Sequence, residues 1–340
     1  MKTFRFSLVA LVATALFTAC SNEVVEQQQQ PTISGAQAIT FRLQGGTPEI
    51  VTRATATTVL NVDAFVVYGT DNAATTNIFD GVTVARQAGS STFDYNPKKY
   101  FSLTAASATF IAYSPVSANI TSFTATDPLI TASFDYEVKA PDATGITSQE
   151  DLLVADTLLA TIASTTTVNL TFEHALSRIF VKAANHLDET VVIKGLTLKN
   201  LKSEGTMDYN NPSWDWSGQA TPIDYDYVLA QSGVAVQIGG DTTLVTSMEQ
   251  GMMVLPQETV NILPLADFDS GDFALEVTYD VANLTGEKAH ILLDDGFEFE
   301  KGKQYVILIE FDGTNTGLIE IGFTIAVSDF ETPIEEVLYP

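Results

Sequence analysis

The segment Phe273-Ala-Leu-Glu-Val-Thr-Tyr-Asp-Val281 places a large apolar side chain at every second position. This period of two puts one set of side chains on a single face of a β-strand. Residues Ile319 to Val327 repeat the pattern. Residues Tyr305 to Phe311 are apolar on both faces, which indicates a strand at the centre of a sheet. These segments predict an all-β fold.

Further strands are predicted wherever β-branched and aromatic residues cluster between Gly, Pro, Asn and Asp. The long segment Val168 to Ala183 changes its apolar phase midway, so a bulge is expected near Ser177, and Val191 to Leu201 is expected to pair with it as a hairpin. A short helix is predicted only for residues 152–160, which follow Ser148 and Asp151 in the sequence. The other predicted strands are Val59 to Tyr68, Tyr100 to Leu103 and Ala108 to Tyr113.

Short strands at near-regular spacing, with turn residues between them, favour β-sandwiches over α/β units. A chain of 340 residues with 45% hydrophobic residues has room for two cores. A run of Ser and Thr lies between Ala160 and Thr167, before the long strand. We therefore expect two domains in tandem, over residues 54–165 and 166–340.

The N-terminus has the pattern of a lipoprotein signal peptide over residues 1–20. Lys2 and Arg5 precede an apolar run, Phe6 to Phe17, that is too short to span a bilayer. Cys20, the only cysteine in the chain, follows the small residues Thr18 and Ala19. Cys20 is therefore the predicted lipidation site, and the acyl chains on its sulfur would hold the protein on a membrane.

Residues 21–37 are predicted to be disordered, because they contain four consecutive glutamines and few apolar residues. A short strand follows: Ile39, Phe41 and Leu43 alternate with polar residues until Gly45 and Gly46 interrupt the pattern. Residues 38–53 thus form a separate first element, linked to the rest by small residues that are open to proteolysis.

The charge is strongly acidic, −26 for the whole chain and −28 once Lys2 and Arg5 leave with the signal peptide. Nucleic acid is therefore excluded as a partner. Three histidines and the absence of metalloprotease, nucleophile-elbow and phosphate-loop motifs predict no enzyme activity and no cofactor. The acidic clusters do not match a calcium loop, so no metal site is predicted.

One aromatic cluster has two readings. Tyr209, Trp214 and Trp216 lie in a stretch rich in Gly, Asn and Pro. Exposed rings of this kind can stack on sugars, which would make the protein a monomeric surface lipoprotein that binds glycans. Buried rings would instead anchor the loop to the core, and this is the commoner outcome.

Four motifs resemble fimbrillins, the type V pilins of Bacteroidales, and they occur in the same order. They are Asp151-Leu-Leu-Val-Ala, Asn169-Leu-Thr-Phe-Glu-His-Ala-Leu-Ser-Arg-Ile-Phe-Val-Lys, Met252-Met-Val-Leu-Pro-Gln and Phe299-Glu-Lys-Gly-Lys-Gln-Tyr. The resemblance covers essentially the whole chain. It implies a lipoprotein precursor built from two transthyretin-like β-sandwich domains. It also implies that an Arg-specific protease cleaves the chain on the C-terminal side of the first strand, between Arg53 and Ala54. Arg42 is the alternative cleavage site.

The resemblance implies that the cut removes the first strand and that a donor strand from another subunit fills the empty groove. The family's usual donor is the C-terminal segment, here residues 328–340, with Phe330, Ile334, Val337, Leu338 and Tyr339 as its apolar residues. The implied partners are other pilin subunits, the protease, and the outer membrane before cleavage. The expected product is a cell-surface fimbria that supports adhesion. Whether the chain is a stalk, anchor or tip subunit, and whether the lipid anchor is retained, stay open.

Overall fold

Alternation of apolar and polar residues dominates the chain, and a computed structural model shows it folded as β-strands with no helix in the described part. The structure describes residues 37–44, 62–90, 92–116, 120–139, 149–159, 161–162, 166–210, 213–219, 222–227, 229–246, 251–259, 272–293, 296–313 and 319–330. Within these ranges no helix has the length and hydropathy needed to cross a membrane. The predicted all-β fold class is confirmed.

The described residues contain twenty-three strands. They are β1 Thr40–Gln44, β2 Ala64–Asp71, β3 Phe79–Arg86, β4 Phe93–Asp94, β5 Ala108–Ser114, β6 Ile120–Ala125, β7 Thr131–Glu137, β8 Leu153–Leu159, β9 Thr167–His174, β10 Ser177–Asn185, β11 Val191–Lys202, β12 Glu204–Asn210, β13 Ser213–Gln219, β14 Pro222–Tyr227, β15 Val234–Val236, β16 Thr243–Leu244, β17 Met252–Val254, β18 Gln257–Glu258, β19 Ala274–Val281, β20 Leu284–Leu292, β21 Glu298–Phe299, β22 Lys303–Gly313 and β23 Ile319–Asp329.

The largest sheet has seven strands in the order β1-β9-β8-β5-β2-β3-β4. All of its neighbours are antiparallel except β1, which runs parallel to β9. A parallel pair needs a long connection between its strands, and here the chain completes β2 to β8 before β9 returns beside β1. Strand β1 is therefore an edge strand whose pairing partner comes from much later in the sequence.

The remaining strands form four smaller sheets. Their orders are β16-β10-β22-β23, with β17 also on β10; β14-β11-β19-β20, with β15 also on β11; β13-β12-β7-β6; and β18-β21. The alternating segment around Val277 is β19, and the segment apolar on both faces is β22, which lies between β10 and β23. Both segments are strands as predicted, and β22 is a central strand because it has a neighbouring strand on each side.

Four predictions of local structure were wrong. The segment Tyr100 to Leu103, predicted as a strand, lies between β4 and β5 and belongs to no strand. Residues 153–159 form β8 rather than a helix. The phase change near Ser177 is not a bulge: the chain leaves the seven-stranded sheet at the end of β9 and enters another sheet as β10. Strand β11 does not form a hairpin with that segment, since it pairs with β14, β15 and β19.

The seven-stranded sheet separates two apolar clusters. One face contributes Ile39, Phe65, Phe110 and Leu170 to the smaller cluster, whereas Val66, Ile111 and Val154 on the other face belong to the larger cluster with the remaining sheets. Strands from both sides of residue 165 share sheets, because β9 pairs with β8 and β12 pairs with β7. The tandem arrangement of domains over 54–165 and 166–340 stays a prediction.

Candidate functional site

Strand β1 and Ile39, the residue before it, pack into the smaller core through every second side chain. Ile39 and Phe41 are 1% and 4% exposed, and Leu43 is half-buried, whereas Thr40 and Arg42 face solvent. This alternation is what the sequence predicts for a strand with one buried face. Burial of Ile39 and Phe41 stabilises the fold by about 3 to 6 kcal/mol, taking 1.5 to 3 kcal/mol for each side chain.

Hydrogen bonds hold β1 on both of its sides. Along one side it pairs with β9 from Thr40 opposite Thr167 to Gln44 opposite Thr171, and the Thr40 amide donates to the Thr166 carbonyl at 2.8 Å. On the other side the Ile39 amide donates to the Lys99 carbonyl at 2.9 Å. The strand therefore lies in a groove between β9 and the segment that follows β4.

The hydroxyl of Tyr95 closes this groove from the β4 side. It donates to the Ile39 carbonyl at 2.7 Å, and its ring lies 5.9 Å from that of Phe41. Burial raises the pKa of Tyr95 to about 12, so the phenol stays protonated and remains a donor at physiological pH. Tyr95 thus joins the two edges of the seven-stranded sheet through β1.

Phe41 is enclosed by four aromatic rings, which we call the aromatic cage. The ring centroids lie between 5.3 and 5.9 Å from that of Phe41, with interplanar angles of 65 to 84°. Edge-to-face contacts of this geometry contribute about 0.5 to 1.5 kcal/mol each beyond the area they bury. The members of the cage are Phe65 on β2, Phe79 on β3, Tyr95 after β4 and Phe110 on β5.

Gly69 on β2 makes room for one wall of the cage. A Cβ atom at this position would lie 2.3 Å from Cδ1 of Phe110, far closer than van der Waals contact. Only glycine allows the Phe110 ring to lie against β2 without displacement. In the sequence Gly69 interrupts an apolar strand, and a glycine in such a position signals close approach of another group.

The C-terminal candidate residues begin at Phe330, which is 2% exposed and directly follows β23. Its ring stacks on His174 at 3.9 Å, and Cζ of Arg178 lies 4.1 Å from the ring centroid. His174 also lies within hydrogen-bonding distance of Asp151, with Nδ1 2.9 Å from a carboxylate oxygen. His174 is thus a buried packing residue.

The other predicted sites lie outside the described residues. Cys20, Arg53 and Ala54 belong to this group, as do the tail residues Ile334, Val337, Leu338 and Tyr339. Arg42, the alternative cleavage site, is described: its side chain is exposed, but its backbone pairs with Asn169 inside the sheet.

The aromatic cluster around β12 and β13 is not an exposed platform. Trp214 is 3% and Tyr209 2% exposed, and their ring centroids lie 5.2 Å apart. The Trp214 indole N–H donates to the Ala155 carbonyl at 3.3 Å, and that of the half-buried Trp216 donates to the Ala175 carbonyl at 2.7 Å. The interpretation of Trp214 and Tyr209 as exposed sugar contacts was wrong, because both rings fill the core.

Fluorescence quenching tests this placement cleanly, because the chain has two tryptophans. In Trp216→Phe the only indole is the buried Trp214, so we expect iodide to quench it several-fold less than the half-buried indole of Trp214→Phe. Stern–Volmer constants measure the difference. Equal and strong quenching in both variants would contradict burial of Trp214.

The groove was only partly foreseen from the sequence. Ile39, Phe41 and Leu43 are recognisable from their alternation, but the cage residues are not, because they are spread from residue 65 to residue 110. In the sequence, each cage residue resembles an ordinary core aromatic of its own strand or, for Tyr95, of the segment after β4. What brings them together is the curvature of the sheet, which places the β1 and β4 edges on either side of Tyr95.

Comparison with known proteins gives both a family and a fold. The family model described as fimbrillin-like matches residues 52–327. No curated protein matches the chain. A fimbrial protein from Bacteroides vulgatus superposes with a TM-score of 0.61 at 15% identity, over 86% of this chain and 99% of its own.

Two more solved structures are similar to this chain. A candidate cell adhesion protein from Parabacteroides distasonis gives a TM-score of 0.50 at 10% identity, covering 87% of this chain and 98% of its own. The tip fimbrial protein Mfa3 from Porphyromonas gingivalis gives 0.40 at 10% identity, covering 78% and 93%. At these identities the similarity to the first two shows a shared fold.

Proposed function

Since the chain belongs to the fimbrillin-like family, we propose that it is the precursor of a structural subunit of a cell-surface fimbria. In this proposal Cys20 carries a lipid that holds the precursor on the outer membrane. An Arg-specific protease cuts after Arg53, β1 leaves its groove, and subunits polymerise by donor-strand exchange. The observation that carries the proposal is the packing of β1: an edge strand that fills a deep aromatic cage.

The position of β1 in the chain suits its removal. It pairs with β9 alone among the described strands, and its connection to β2 consists of residues 45–63. Arg53 lies nine residues beyond Gln44 in that connection, outside the strand. Cutting there separates β1 covalently from the rest of the core, so that only non-covalent contacts with the groove retain it.

An empty groove would be unstable. Loss of β1 uncovers the backbone of β9 from Thr167 to Thr171 and the cage around Phe41. Exposed strand edges pair readily with other strands, and backbone hydrogen bonds together with alternating side-chain pockets give such pairing both affinity and register. A strand from a second copy of this chain satisfies both requirements, as the first strand does in the precursor.

Cleavage is needed because β1 is tethered to its own groove. A short connection gives the tethered strand an effective concentration on the order of millimolar, which a strand from another subunit cannot match. Once the tether is cut, β1 can dissociate and is diluted away. We therefore expect the uncut precursor to remain monomeric.

Treatment of the purified precursor with an Arg-specific protease tests this. We expect a new N-terminus at Ala54 and ladders of oligomers that resist mild detergent. In Arg53→Ala both products should be lost, because the arginines among the described residues are in the sheet or poorly exposed: Arg42 in β1, Arg86 and Arg178.

Arg42→Ala is the matched control, since the side chain is exposed and contributes no burial. This variant should cleave and polymerise like the parent. Stable monomers after complete cleavage at Arg53 would rule out the polymer, and continued cleavage of Arg53→Ala within β1 would move the site to Arg42. N-terminal sequencing of protein from the cell surface also shows whether the lipid on Cys20 is retained.

A further inference from the structure

The residue at which the C-terminal segment begins is more deeply buried than the large side chains of the strand before it. Phe330 is 2% exposed, whereas Phe323 and Val327 on β23 are 38% and 50% exposed. A buried residue directly after a partly exposed edge strand is unusual for the start of a segment that has to leave the subunit. The contacts of Phe330 explain how it is fixed.

Two cationic or polarisable side chains contact the Phe330 ring. His174 stacks on it with a centroid distance of 3.9 Å and an interplanar angle of 17°. The guanidinium of Arg178 lies 4.1 Å from its centroid, within the range of a cation–π contact. Because His174 ends β9 and Arg178 belongs to β10, the ring contacts both the seven-stranded sheet and the sheet of β22 and β23.

Both backbone groups of Phe330 are hydrogen-bonded as well. Its amide donates to the Gly302 carbonyl at 3.0 Å, and its carbonyl accepts from Nη2 of Arg178 at 2.5 Å. Gly302 has a φ of 71°, a left-handed conformation that favours glycine. Nη2 of Arg178 also donates to Oε1 of Gln304 at 2.7 Å, so the guanidinium is itself held by β22.

The preceding strand adds a second attachment. Strand β23 pairs with β22 along its whole length, from Ile319 opposite Gly313 to Asp329 opposite Lys303. At its end the Lys303 ammonium donates to the Asp329 carboxylate at 2.7 Å, and Nε2 of Gln304 donates to Oγ of Ser328 at 3.0 Å. Detaching Phe330 would therefore disturb several neighbouring bonds at once.

We infer that Phe330 is a fixed root of the C-terminal segment, and that it stays on its own subunit when the segment engages another one. His174, Arg178 and Gly302 are the residues that position this root. The inference rests on the proposed function and deepens it, because it limits the exchanged donor to residues 331–340. Phe330, which the sequence analysis included among the donor residues, is then an anchor rather than a donor side chain.

A fixed root also sets the reach of the donor. An extended strand advances roughly 3.3 Å per residue, so a segment rooted at Phe330 reaches about 30 Å by Tyr339. The distance between a root and the groove of the next subunit cannot exceed this length. A root that moved with the donor would lengthen the reach by the eleven residues of β23.

A reversible disulfide between β22 and β23 distinguishes the two cases. Lys303 and Asp329 are directly opposite, at a spacing that cross-strand disulfides can bridge. We would introduce Lys303→Cys and Asp329→Cys in a chain carrying Cys20→Ser, so that no other thiol is present. After cleavage at Arg53, the oxidised and reduced forms of the same protein are compared for polymer formation.

If the root is fixed, the oxidised form polymerises at the same rate and to the same extent as the reduced form. Failure of the oxidised form, restored by reductant, would overturn the inference and make β23 part of the donor. If the parent protein itself does not polymerise after cleavage, the proposed function fails. The inference is then decided by a measurement on the monomer.

That measurement is amide hydrogen exchange of the uncut chain. A fixed root predicts that the Phe330 amide is protected as strongly as the middle of β23. Phe330→Ala should accelerate exchange at residues 328–330 by about tenfold or more, through local opening. Phe323→Ala, a half-exposed residue of the same strand, is the matched control and should leave the root protected. A Phe330 amide in the parent that exchanges like an unprotected chain would overturn the inference.

Discussion

Replacing Phe41 by alanine is expected to lower the free energy of unfolding of the uncut precursor by about 3 to 5 kcal/mol. The side chain is 4% exposed and contacts four aromatic rings. These rings are fixed by β2, β3, β5 and the segment after β4, so they cannot collapse into the space. The cavity then adds to the lost burial. Thermal or urea denaturation of the precursor measures the loss.

The same substitution should leave the mature polymer unchanged, since β1 is absent from it in the proposed pathway. Phe110→Ala provides the contrast, because this cage residue remains in the subunit and lines the groove for the donor. It should weaken both the precursor and the polymer. Thr40→Ala, an exposed change on β1 that removes only the hydroxyl contact with Thr167 Oγ1 at 3.1 Å, is the control for the strand itself and should cost no more than about 1 kcal/mol.

Equal destabilisation of precursor and polymer by Phe41→Ala would mean that β1 stays in its groove throughout. The polymer would then have to use another surface for its contacts. A precursor that tolerates Phe41→Ala without loss would contradict the packing of the aromatic cage. The pair of measurements therefore tests the groove and its change of occupant separately.

The sequence correctly predicted β19, which has one more deeply buried face, and β22, which is buried on both faces. In β19 the more deeply buried face takes the large apolar side chains, so the sequence alternates visibly. In β22 both faces are buried, and its apolar run is too short for a helix. Strand β8 was mistaken for a helix because its residues divide between two cores. Leu153 and Ala155 belong to the smaller cluster and Val154 to the larger one, so no alternation is visible.

The site was harder to predict than the fold, because its residues meet only after the sheet has curved. Phe41 can be recognised as a buried residue from the alternation around it, but nothing in the sequence indicates that Phe79 contacts Tyr95 or Phe110. The same limit applies to Phe330: its neighbours His174 and Arg178 flank the crossing from one sheet to the next, which the sequence analysis read as a bulge. Local patterns predict elements, whereas contacts between distant strands need the topology.

Replacing Tyr339 by alanine is expected to abolish stable polymers of the cleaved protein. In the proposed donor-strand exchange, the donor fills the places of Ile39 and Phe41, which are 1% and 4% exposed. In the polarity of β1, one register of residues 331–340 puts Val337 in the place of Ile39 and Tyr339 in the aromatic cage. Registers that bring Glu335 or Glu336 to either place would bury a carboxylate without a partner.

The expected loss follows from the cage. Removing an aromatic ring from a buried site costs about 3 to 5 kcal/mol, which raises the dissociation constant of the donor more than about 100-fold. Detergent-resistant ladders should disappear, while cleavage at Arg53 and folding of the monomer continue, because Tyr339 is not one of the residues that make up β1 or the aromatic cage. Gel analysis after cleavage and the melting temperature of the uncut chain measure the two effects.

Two matched variants make the register falsifiable. Tyr339→Phe keeps the ring and should polymerise, since three of the four cage residues are phenylalanines that need no phenol partner. Ile334→Ala removes an apolar side chain that this register leaves outside the two buried places, so its effect should be small. If Ile334→Ala abolishes polymers and Tyr339→Ala does not, the donor engages the groove nearer to Phe330. The segment between root and groove would then be shorter by about five residues, equivalent to roughly 16 Å of extended chain, and neighbouring subunits would have to pack correspondingly closer.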